Sequence, residues 1–216
     1  TGINGQDGSY LAELLIEKGY QVYGTVKRNS VSENQTSRLD NIFPTIRDNL
    51  IYADLSDLSS LLSAIHISRP HEIYNLAAQS HVRISFDQPV YTALTTGVGT
   101  LNLLEATRIY DPAIKIYQAS SSEMFGNNID EDGFQRESTP MAPVSPYGCS
   151  KVFSYNICRN YRKSYNMHIS NGILFNHESP RRGSNFVTNK VVKAAARIKL
   201  GLQDKLELGN MDSYRD

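Results

Sequence analysis

Tyr147 and Lys151 are the residues whose types and spacing point most directly to chemistry. They stand four positions apart, so on a helix they would share one face. Ser145-Pro146 just before them favours the start of such a helix, with the serine as cap and the proline in the first turn. A lysine beside a tyrosine hydroxyl stabilises the phenolate, which can then act as a general base. The spacing predicts an acid/base pair, although it is also common in helices with a purely structural role.

A run of serines that ends in a carboxylate follows a predicted buried strand over 114–119. This run, Ser120-Ser121-Ser122-Glu123, would lie at the carboxyl edge of a sheet, where α/β folds bind their ligands. A serine hydroxyl there can hydrogen-bond an oxygen that is being oxidised. Glu123 adds a second acid/base group that a simple dehydrogenase does not need. The alternative is that Glu123 is a surface or capping residue.

Glycines at positions 2, 5 and 8 form a G-x-x-G-x-x-G pattern directly before a predicted helix. Because they have no side chains, a pyrophosphate can approach the backbone, and the helix N-terminus offers free N–H groups and a partial positive charge. Glycine triplets also occur in ordinary turns, but the position before the first helix of an alternating chain strengthens the pattern. We therefore predict a dinucleotide-binding turn.

The basic and polar segment Lys27-Arg28-Asn29-Ser30 follows a predicted strand over 21–26. This position usually sets the ribose preference of dinucleotide-binding folds, and an acidic residue there favours NAD. Cations would instead pair with a 2′-phosphate, so the segment predicts NADP. A solvated basic loop is the alternative.

A second basic segment, Asn176-His177-Glu178-Ser179-Pro180-Arg181-Arg182-Gly183, follows a predicted strand over 168–174. Two arginines in a loop at the same sheet edge suit a nucleotide diphosphate. His177 is placed to contact a nicotinamide ribose, and membership of a buried polar network is the equal alternative.

The elements that must position these residues alternate between strand and helix along the chain. Buried strands are predicted over 21–26, 50–53, 72–77, 114–119 and 168–174. Helices are predicted over 10–18, 58–67, 90–110, 147–165 and 186–200, with a weak helix over 38–43 and a long surface loop over 126–146. Such alternation implies parallel strands joined by right-handed crossovers. The predicted fold class is therefore α/β, with a doubly wound parallel sheet.

The composition limits the class of protein. The chain has 216 residues, 40% of them hydrophobic, which suits one large domain better than two. Lysine plus arginine and aspartate plus glutamate number 22 each, so we expect no nucleic-acid partner. The two cysteines lack metal-site spacing and a disulfide framework, so we expect no metal and a reducing compartment. No membrane-spanning run and no signal peptide are present, which predicts a cytoplasmic protein.

Four blocks resemble the GDP-mannose 4,6-dehydratase family, and the resemblance spans essentially the whole chain. The blocks are residues 2–13, 75–82, 145–148 and 171–183, the last followed by Asn185-Phe186-Val187-Thr188 and the most specific. The resemblance implies the NADP-binding fold of the extended short-chain dehydrogenases/reductases over residues 1–216. The GDP-sugar-binding region would begin at about residue 176. Since a glycine turn opens the chain and polar sequence closes it, we expect a fragment that lacks most of the substrate domain.

The resemblance also implies a reaction and its residues. GDP-mannose would become GDP-4-dehydro-6-deoxy-mannose with an internally recycled NADP, on the way to GDP-fucose and related deoxy sugars, in a homo-oligomer (a dimer or tetramer). The catalytic residues would be Ser121, Glu123, Tyr147 and Lys151. The NADP-binding residues would be Gly2, Ile3, Asn4, Gly5, Gln6, Asp7, Lys27, Arg28, Asp54, Leu55, Leu76, Ala77, Ala78, Gln79, Ser80, Tyr91, Lys151, His177 and Arg182. The GDP-sugar contacts would be Asn176, Asn185, Lys190 and Arg215.

Two positions depart from the family's usual pattern. Ser121 stands where the family usually has threonine, so the hydroxyl is kept without the methyl group. Lys27 stands where the family often has arginine, so the charge is kept without the bidentate geometry.

Other functions remain open at this point. A dTDP-glucose 4,6-dehydratase is expected to pair an aspartate with the glutamate, whereas Ser122 precedes Glu123 here. A 4-epimerase would lack a carboxylate at position 123. An NADP-binding regulatory protein on the same fold is the non-enzyme alternative, and it would have no use for Glu123, Tyr147 and Lys151 together.

Overall fold

In the computed structural model, which describes residues 1–28 and 36–209, short parallel strands form the centre of the fold. The strands are β1 (Gly24–Val26), β2 (Leu50–Tyr52), β3 (Glu72–Asn75), β4 (Lys115–Ser121) and β5 (Ile169–Leu174). β1 pairs with β2, and β3, β4 and β5 pair in that order. The α/β class with parallel strands, predicted from the alternation of elements, is confirmed.

The first residues of the chain lie between the two groups of strands. The Thr1 backbone nitrogen donates to Tyr74 O of β3 at 2.8 Å, and Thr1 Oγ1 donates to Asn75 Oδ1 at 2.6 Å. Ile3 packs with Val26 of β1 in one buried cluster. The first residues therefore contact both groups of strands, by hydrogen bonds to β3 and by apolar packing against β1.

The helices connect successive strands. They are α1 (Gln6–Glu17), α2 (Phe43–Ile46), α3 (Leu58–Ser68), α4 (Val82–Asp87), α5 (Pro89–Thr92), α6 (Gly99–Tyr110), α7 (Pro146–Tyr165) and α8 (Val187–Lys199). A π-helical segment, Ala93–Val98, joins α5 to α6. Single 3-10 turns occur at Ser37–Leu39, Arg47–Asn49 and Ser122–Met124. None of the helices in the described ranges is both long and apolar enough to cross a membrane.

Two buried apolar clusters hold these elements together. The larger one joins α3, α6 and α7 to β3, β4 and β5, through side chains such as Leu61, Leu104, Ile116, Cys158 and Ile169. The smaller one gathers α1, β1 and α2, with Ala12, Val26 and Ile46 among its members. Burial of this apolar surface stabilises the fold. The polar residues at the ends of β3 and β4 are not members of either cluster.

Most predicted helices are present, with shifted boundaries. The predicted helix over 147–165 is α7, and Ser145 caps it, since Ser145 Oγ accepts the Gly148 N–H at 3.0 Å. The first helix begins at Gln6 rather than at residue 10, because Gly8 and Ser9 lie inside its first turns rather than in the loop. The loop predicted over 126–146 extends to Ser145.

Other predictions were wrong in detail. The helix predicted over 90–110 is interrupted by the π segment. The weak helix predicted over 38–43 is replaced by a 3-10 turn and the short α2. Helix α4 has no counterpart in the prediction, because it is only six residues long and its apolar period is too short to recognise.

The chain divides into two compact units, Thr1–Leu174 and Phe175–Asp216. Within the second unit, Arg182 Nε lies 3.3 Å from Glu178 Oε2, and the Arg182 guanidinium lies over the Phe186 ring. Helix α8 forms the regular part of this unit.

Candidate active site

The glycine turn and the end of β3 meet closely. Gly2 has a φ of +66°, and a Cβ on it would lie 2.8 Å from Ala77 N, so another residue would be strained there. A Cβ on Gly8 would lie 2.2 Å from Gly2 O, which keeps the turn tight against the first turn of α1. Gly5 is the N-cap residue of this helix. The turn therefore presents bare backbone and a helix N-terminus next to Leu76 and Ala77, as a bound pyrophosphate requires.

Three residues predicted to bind the cofactor come together from three elements. Lys27 Nζ lies 3.0 Å from Asp54 Oδ2 and donates to Tyr91 Oη at 3.3 Å. The hydrogen bond to Asp54 raises the pKa of Lys27. Partial burial opposes ionisation of Asp54, but hydrogen bonds from Ser56 and Lys27 outweigh it and lower the pKa of Asp54. Arg28 lies beside them with its guanidinium over the Tyr52 ring, 4.9 Å from the centroid.

Gln79 fixes the loop that follows β3. Its side chain donates to Thr92 Oγ1 at 3.0 Å and accepts the His81 N–H at 2.7 Å. Its backbone N–H donates to Thr96 Oγ1 of the π segment at 3.2 Å. The predicted cofactor-binding loop, 76–80, is thereby tied to α5 and the π segment.

The end of β4 carries the predicted serine and carboxylate. Ser121 Oγ accepts the Glu123 N–H at 3.2 Å and so caps the 3-10 turn that holds Glu123. A Cβ on Gly148 would lie 2.7 Å from Glu123 O, so the first turn of α7 packs directly on the Glu123 backbone. The structure thus brings Glu123 next to the turn of α7 that begins with Pro146 and Tyr147.

Tyr147 and Lys151 lie buried on one face of α7, as their spacing predicted. Lys151 Nζ lies 5.8 Å from the centre of the Tyr147 ring and donates to Ala119 O of β4 at 2.7 Å. Burial lowers the pKa of Lys151 to about 8. The ammonium is therefore held beside the tyrosine at the carboxyl end of β4, where Ser121 and Glu123 also lie.

A hydroxyl, a carboxylate, a phenol and an ammonium at one sheet edge can transfer protons to and from a polyol. In the ranges 1–28 and 36–209, no group of three or more histidines, cysteines, aspartates or glutamates is placed to hold a metal ion.

The remaining predicted residues belong to the second unit. His177 Nδ1 lies 2.7 Å from Phe175 O, and Lys190 Nζ donates to Glu207 O at 2.8 Å. Asn176 and Asn185 are exposed. Arg215 lies outside the residues that the structure describes.

Comparison with known proteins agrees with the motifs. The GDP-mannose 4,6 dehydratase family profile matches residues 1–216. The GDP-mannose 4,6-dehydratase of Yersinia enterocolitica is 54% identical over all of this chain, and the human enzyme is 50% identical. This chain belongs to the GDP-mannose 4,6-dehydratase family. It spans 59% of the length of each of these two relatives.

Solved structures show the same fold as this family member. The Thermus thermophilus UDP-glucose 4-epimerase, in complex with NAD, has a TM-score of 0.79 and 26% identity. The match covers 93% of this chain and 62% of that one. The RMD protein of Pseudomonas aeruginosa, complexed with NADPH, has a TM-score of 0.78 at 24% identity, covering 100% of this chain and 66% of that one. The predicted doubly wound α/β fold is confirmed.

Sequence reasoning missed several residues that shape the site of this dehydratase-family chain. Arg38 donates to Asn4 O of the glycine turn at 3.1 Å, a contact that the weak helix predicted over 38–43 did not indicate. Asn75, at the end of β3, and Gln118, in the middle of β4, are almost fully buried. The signal that could have identified both of them is a polar residue within an otherwise apolar strand pattern.

Proposed function

We propose that the protein is a GDP-mannose 4,6-dehydratase, which converts GDP-mannose to GDP-4-dehydro-6-deoxy-mannose on the route to GDP-fucose and related deoxy sugars. The observation that carries this proposal is the position of Glu123. Ser121 caps its turn, and the Glu123 backbone packs on the first turn of α7, which supports a role for its carboxylate beside Tyr147 and Lys151. An elimination needs this additional base, whereas a simple oxidation does not.

The cofactor that fits the residues is NADP. The glycine turn and the start of α1 fit the pyrophosphate. Side chains at Gly2 and Gly8 would collide with the neighbouring backbone, so only glycines allow the tight turn that leads into the helix N-terminus. Lys27 and Arg28 would pair with the 2′-phosphate. When bound, the nicotinamide would accept a hydride and later return it. The relatives of known structure named above contain NAD in one case and NADPH in the other.

The residues of the chain would divide the proton transfers between them. Tyr147 as phenolate removes the proton from the sugar C4 hydroxyl, and Lys151 stabilises that phenolate. Ser121 hydrogen-bonds the oxygen that becomes the C4 ketone. The ketone acidifies the C5 proton, which Glu123 removes. Glu123 then protonates the C6 hydroxyl, which leaves as water, and Tyr147 returns its proton on the C5 side. The sequence loses one water and is redox-neutral overall.

The second unit would supply contacts to the GDP-sugar. We assign this role to Asn176, Asn185, Lys190 and Arg215, and nicotinamide contacts to His177 and Arg182. We also propose a cytoplasmic location.

A homo-oligomer is proposed as well. Val90, Leu94 and Val98 are exposed and recur every four residues from α5 through the π segment. Phe153 of α7, also exposed, lies against Gly97 and widens this apolar stripe. Because a contiguous exposed apolar surface is typical of an interface, we propose that a second copy of the chain covers it.

The test of the proposed function compares Tyr147→Phe with Glu123→Gln in single turnovers with GDP-mannose and NADP. Tyr147→Phe should prevent the appearance of nicotinamide absorbance. Glu123→Gln should allow it and then block elimination, so that the absorbance persists. Overall turnover should fall by about 10²–10⁴-fold in both, the usual effect of losing a general acid/base.

Mass spectrometry of the product and a parallel reaction with dTDP-glucose complete this test. The unmodified protein should remove one water from GDP-mannose and leave dTDP-glucose unchanged. Comparable turnover of dTDP-glucose, or normal turnover by Glu123→Gln, would contradict the proposal.

A further inference from the structure

The carbonyl that binds Lys151 is available because β3 ends early. β3 and β4 pair as far as Asn75 and Gln118. In a continued parallel ladder, Ala77 N–H would donate to Ala119 O. It donates instead to Thr1 Oγ1 at 3.1 Å. Ala119 O therefore accepts from two side chains, Lys151 Nζ at 2.7 Å and Gln118 Nε2 at 3.1 Å.

Gln118 cannot turn away from this carbonyl without losing another bond. Its Oε1 accepts from Asn75 Nδ2 at 2.7 Å, and Asn75 Oδ1 accepts from Thr1 Oγ1 at 2.6 Å. Both amide side chains are only 1% exposed, so no solvent replaces a broken bond. Each group fixes the orientation of the next, and the last donor in the chain is the Gln118 amide that points at Ala119 O.

We propose that Gln118, oriented by Asn75, is a positioning residue for Lys151. Gln118 occupies one lone pair of Ala119 O, so Lys151 makes a single shared bond to this carbonyl and keeps its other N–H groups for Tyr147 and the ligand. This inference rests on the proposed function, in which Lys151 serves Tyr147.

The neighbours of Lys151 are uncharged. Asn75 of β3 and Gln118 of β4 are neutral amides. Cys158, on the same helix, remains a neutral thiol, since burial raises its pKa to about 12. Tyr147 is the other titratable group beside the ammonium. Burial and Cys158 are the causes of the shifted pKa of Lys151, and no carboxylate of the described residues contributes to it.

Gln118→Met tests the proposal, because methionine has a similar length and no amide. The readout is the NMR titration of the Lys151 ¹⁵Nζ resonance in the full chain without ligand, assigned with Lys151→Met. In this variant Ala119 O would accept a hydrogen bond from Lys151 alone. A stronger bond to the charged form should raise the pKa of Lys151 by about half a unit or more. The alkaline limb of single-turnover rate against pH should move upward with it.

Thr107→Val is the matched control. It also removes a fully buried polar group, a hydroxyl that donates to Leu103 O within α6. It should lower Tm and leave the Lys151 titration unchanged. If Gln118→Met also lowers Tm without raising the pKa of Lys151, Gln118 is only a core residue and the proposal is overturned.

Gln118→Glu is the second variant, in case Gln118→Met does not fold. It keeps the acceptor for Asn75 and replaces the donor with a charge, so the pKa of Lys151 should rise by about one unit or more; an unchanged titration would overturn the proposal. The titration needs no substrate, so its result tests the role of Gln118 whether or not the protein turns over GDP-mannose. Failure of the unmodified protein with GDP-mannose would count against the proposed function alone.

Discussion

Lys151 meets two opposing demands, because the charge that assists Tyr147 is also a charge removed from water. The pKa of this lysine is about 8, whereas the ordinary value is 10.5. Below pH 8 the folded protein holds a proton that burial disfavours, so the full penalty is present there. Between pH 8 and 10.5 the folded protein releases this proton while the unfolded chain still binds it, so the free energy of unfolding rises with pH. Above pH 10.5 Lys151 is neutral in both states and the penalty is absent.

The direction of this pH dependence predicts how removing Lys151 changes stability. Lys151→Met should abolish activity yet raise the free energy of unfolding at pH 7 by about 1–3 kcal/mol, with a gain that fades towards pH 10. Urea denaturation at several pH values measures it. The control is Lys163→Met at an exposed position of the same helix, which should change stability by less than about 0.5 kcal/mol. A destabilised Lys151→Met protein at pH 7 would contradict the argument.

The second prediction at the residue scale concerns Lys27 and Arg28. Replacing both with alanine removes two cations from the proposed 2′-phosphate site, so NADP affinity should fall about tenfold or more. Affinity for NAD should change little, and the preference for NADP should disappear. Lys115→Ala, at the start of β4 and hence the opposite sheet edge, is the control. Titration calorimetry with both cofactors gives the answer, and equal affinities in the unmodified protein would refute it.

Residue types and spacing predicted part of the candidate site and could not predict the rest. Tyr147 and Lys151 share a face because a helix repeats every 3.6 residues, which can be read directly from the sequence. The contact between Asn75 and Gln118 depends on the register of two strands that lie 43 positions apart. Local patterns do not fix such a register, because it depends on which apolar faces become buried.

At the scale of elements, the π segment between α5 and α6 shows what periodicity overlooks. Residues 90–110 have the apolar period of one helix, and one continuous helix was predicted. The π geometry exposes Thr96 O to side chains, and Ser154 Oγ of α7 donates to it at 2.9 Å. Thr96 Oγ1 also accepts the Gln79 N–H. A bond to a distant helix therefore accompanies the wider turn, and no local signal encodes that bond.

The long loop before α7 was predicted as a loop but not as an ordered one. Arg136 pairs with Asp130 at 2.9 Å and with Asp132 at 2.6 Å, and Thr139 Oγ1 donates to Asp130. The loop begins directly after the turn that holds Glu123 and ends at the cap of α7. Its internal bonds thus connect the two elements that supply the proposed acid/base groups.

Gly126, at the base of this loop, provides the element-scale prediction. Its φ is +60°, and a Cβ there would lie 2.0 Å from Ala142 O, so Gly126→Ala should destabilise the fold by about 2 kcal/mol or more and lower turnover. Gly133 in the same loop also has a positive φ, +86°, but open space around it. Gly133→Ala should cost less, about 1–2 kcal/mol, and preserve turnover. Thermal unfolding and kinetics compare the two, and equal effects would show that the loop base is not under steric constraint.

At the scale of the whole molecule, the fold class was predictable because alternation of strand and helix leaves few topologies. No change of composition marks the division after Leu174, and only the family resemblance indicated a separate region, from about residue 176. Strand ends were also misplaced in both directions. β4 continues to Ser121 rather than ending at residue 119. β3 ends at Asn75 rather than at residue 77, because Ala77 N–H bonds to Thr1 rather than to β4. The sequence thus indicated the architecture more reliably than the points where its elements end.

Assembly gives the last prediction. If the stripe formed by Val90, Leu94, Val98 and Phe153 contacts a second copy, the unmodified protein should have the mass of a dimer or tetramer in light scattering coupled to gel filtration. Leu94→Glu places a charge at the centre of this surface, and burying an unpaired charge in an interface is strongly unfavourable. The variant should therefore have a smaller assembled mass. Ile67→Glu, at an exposed apolar position on α3, should keep the mass of the unmodified protein. A monomeric unmodified protein, or a Leu94→Glu variant of unchanged mass, would show that the stripe is not the contact surface.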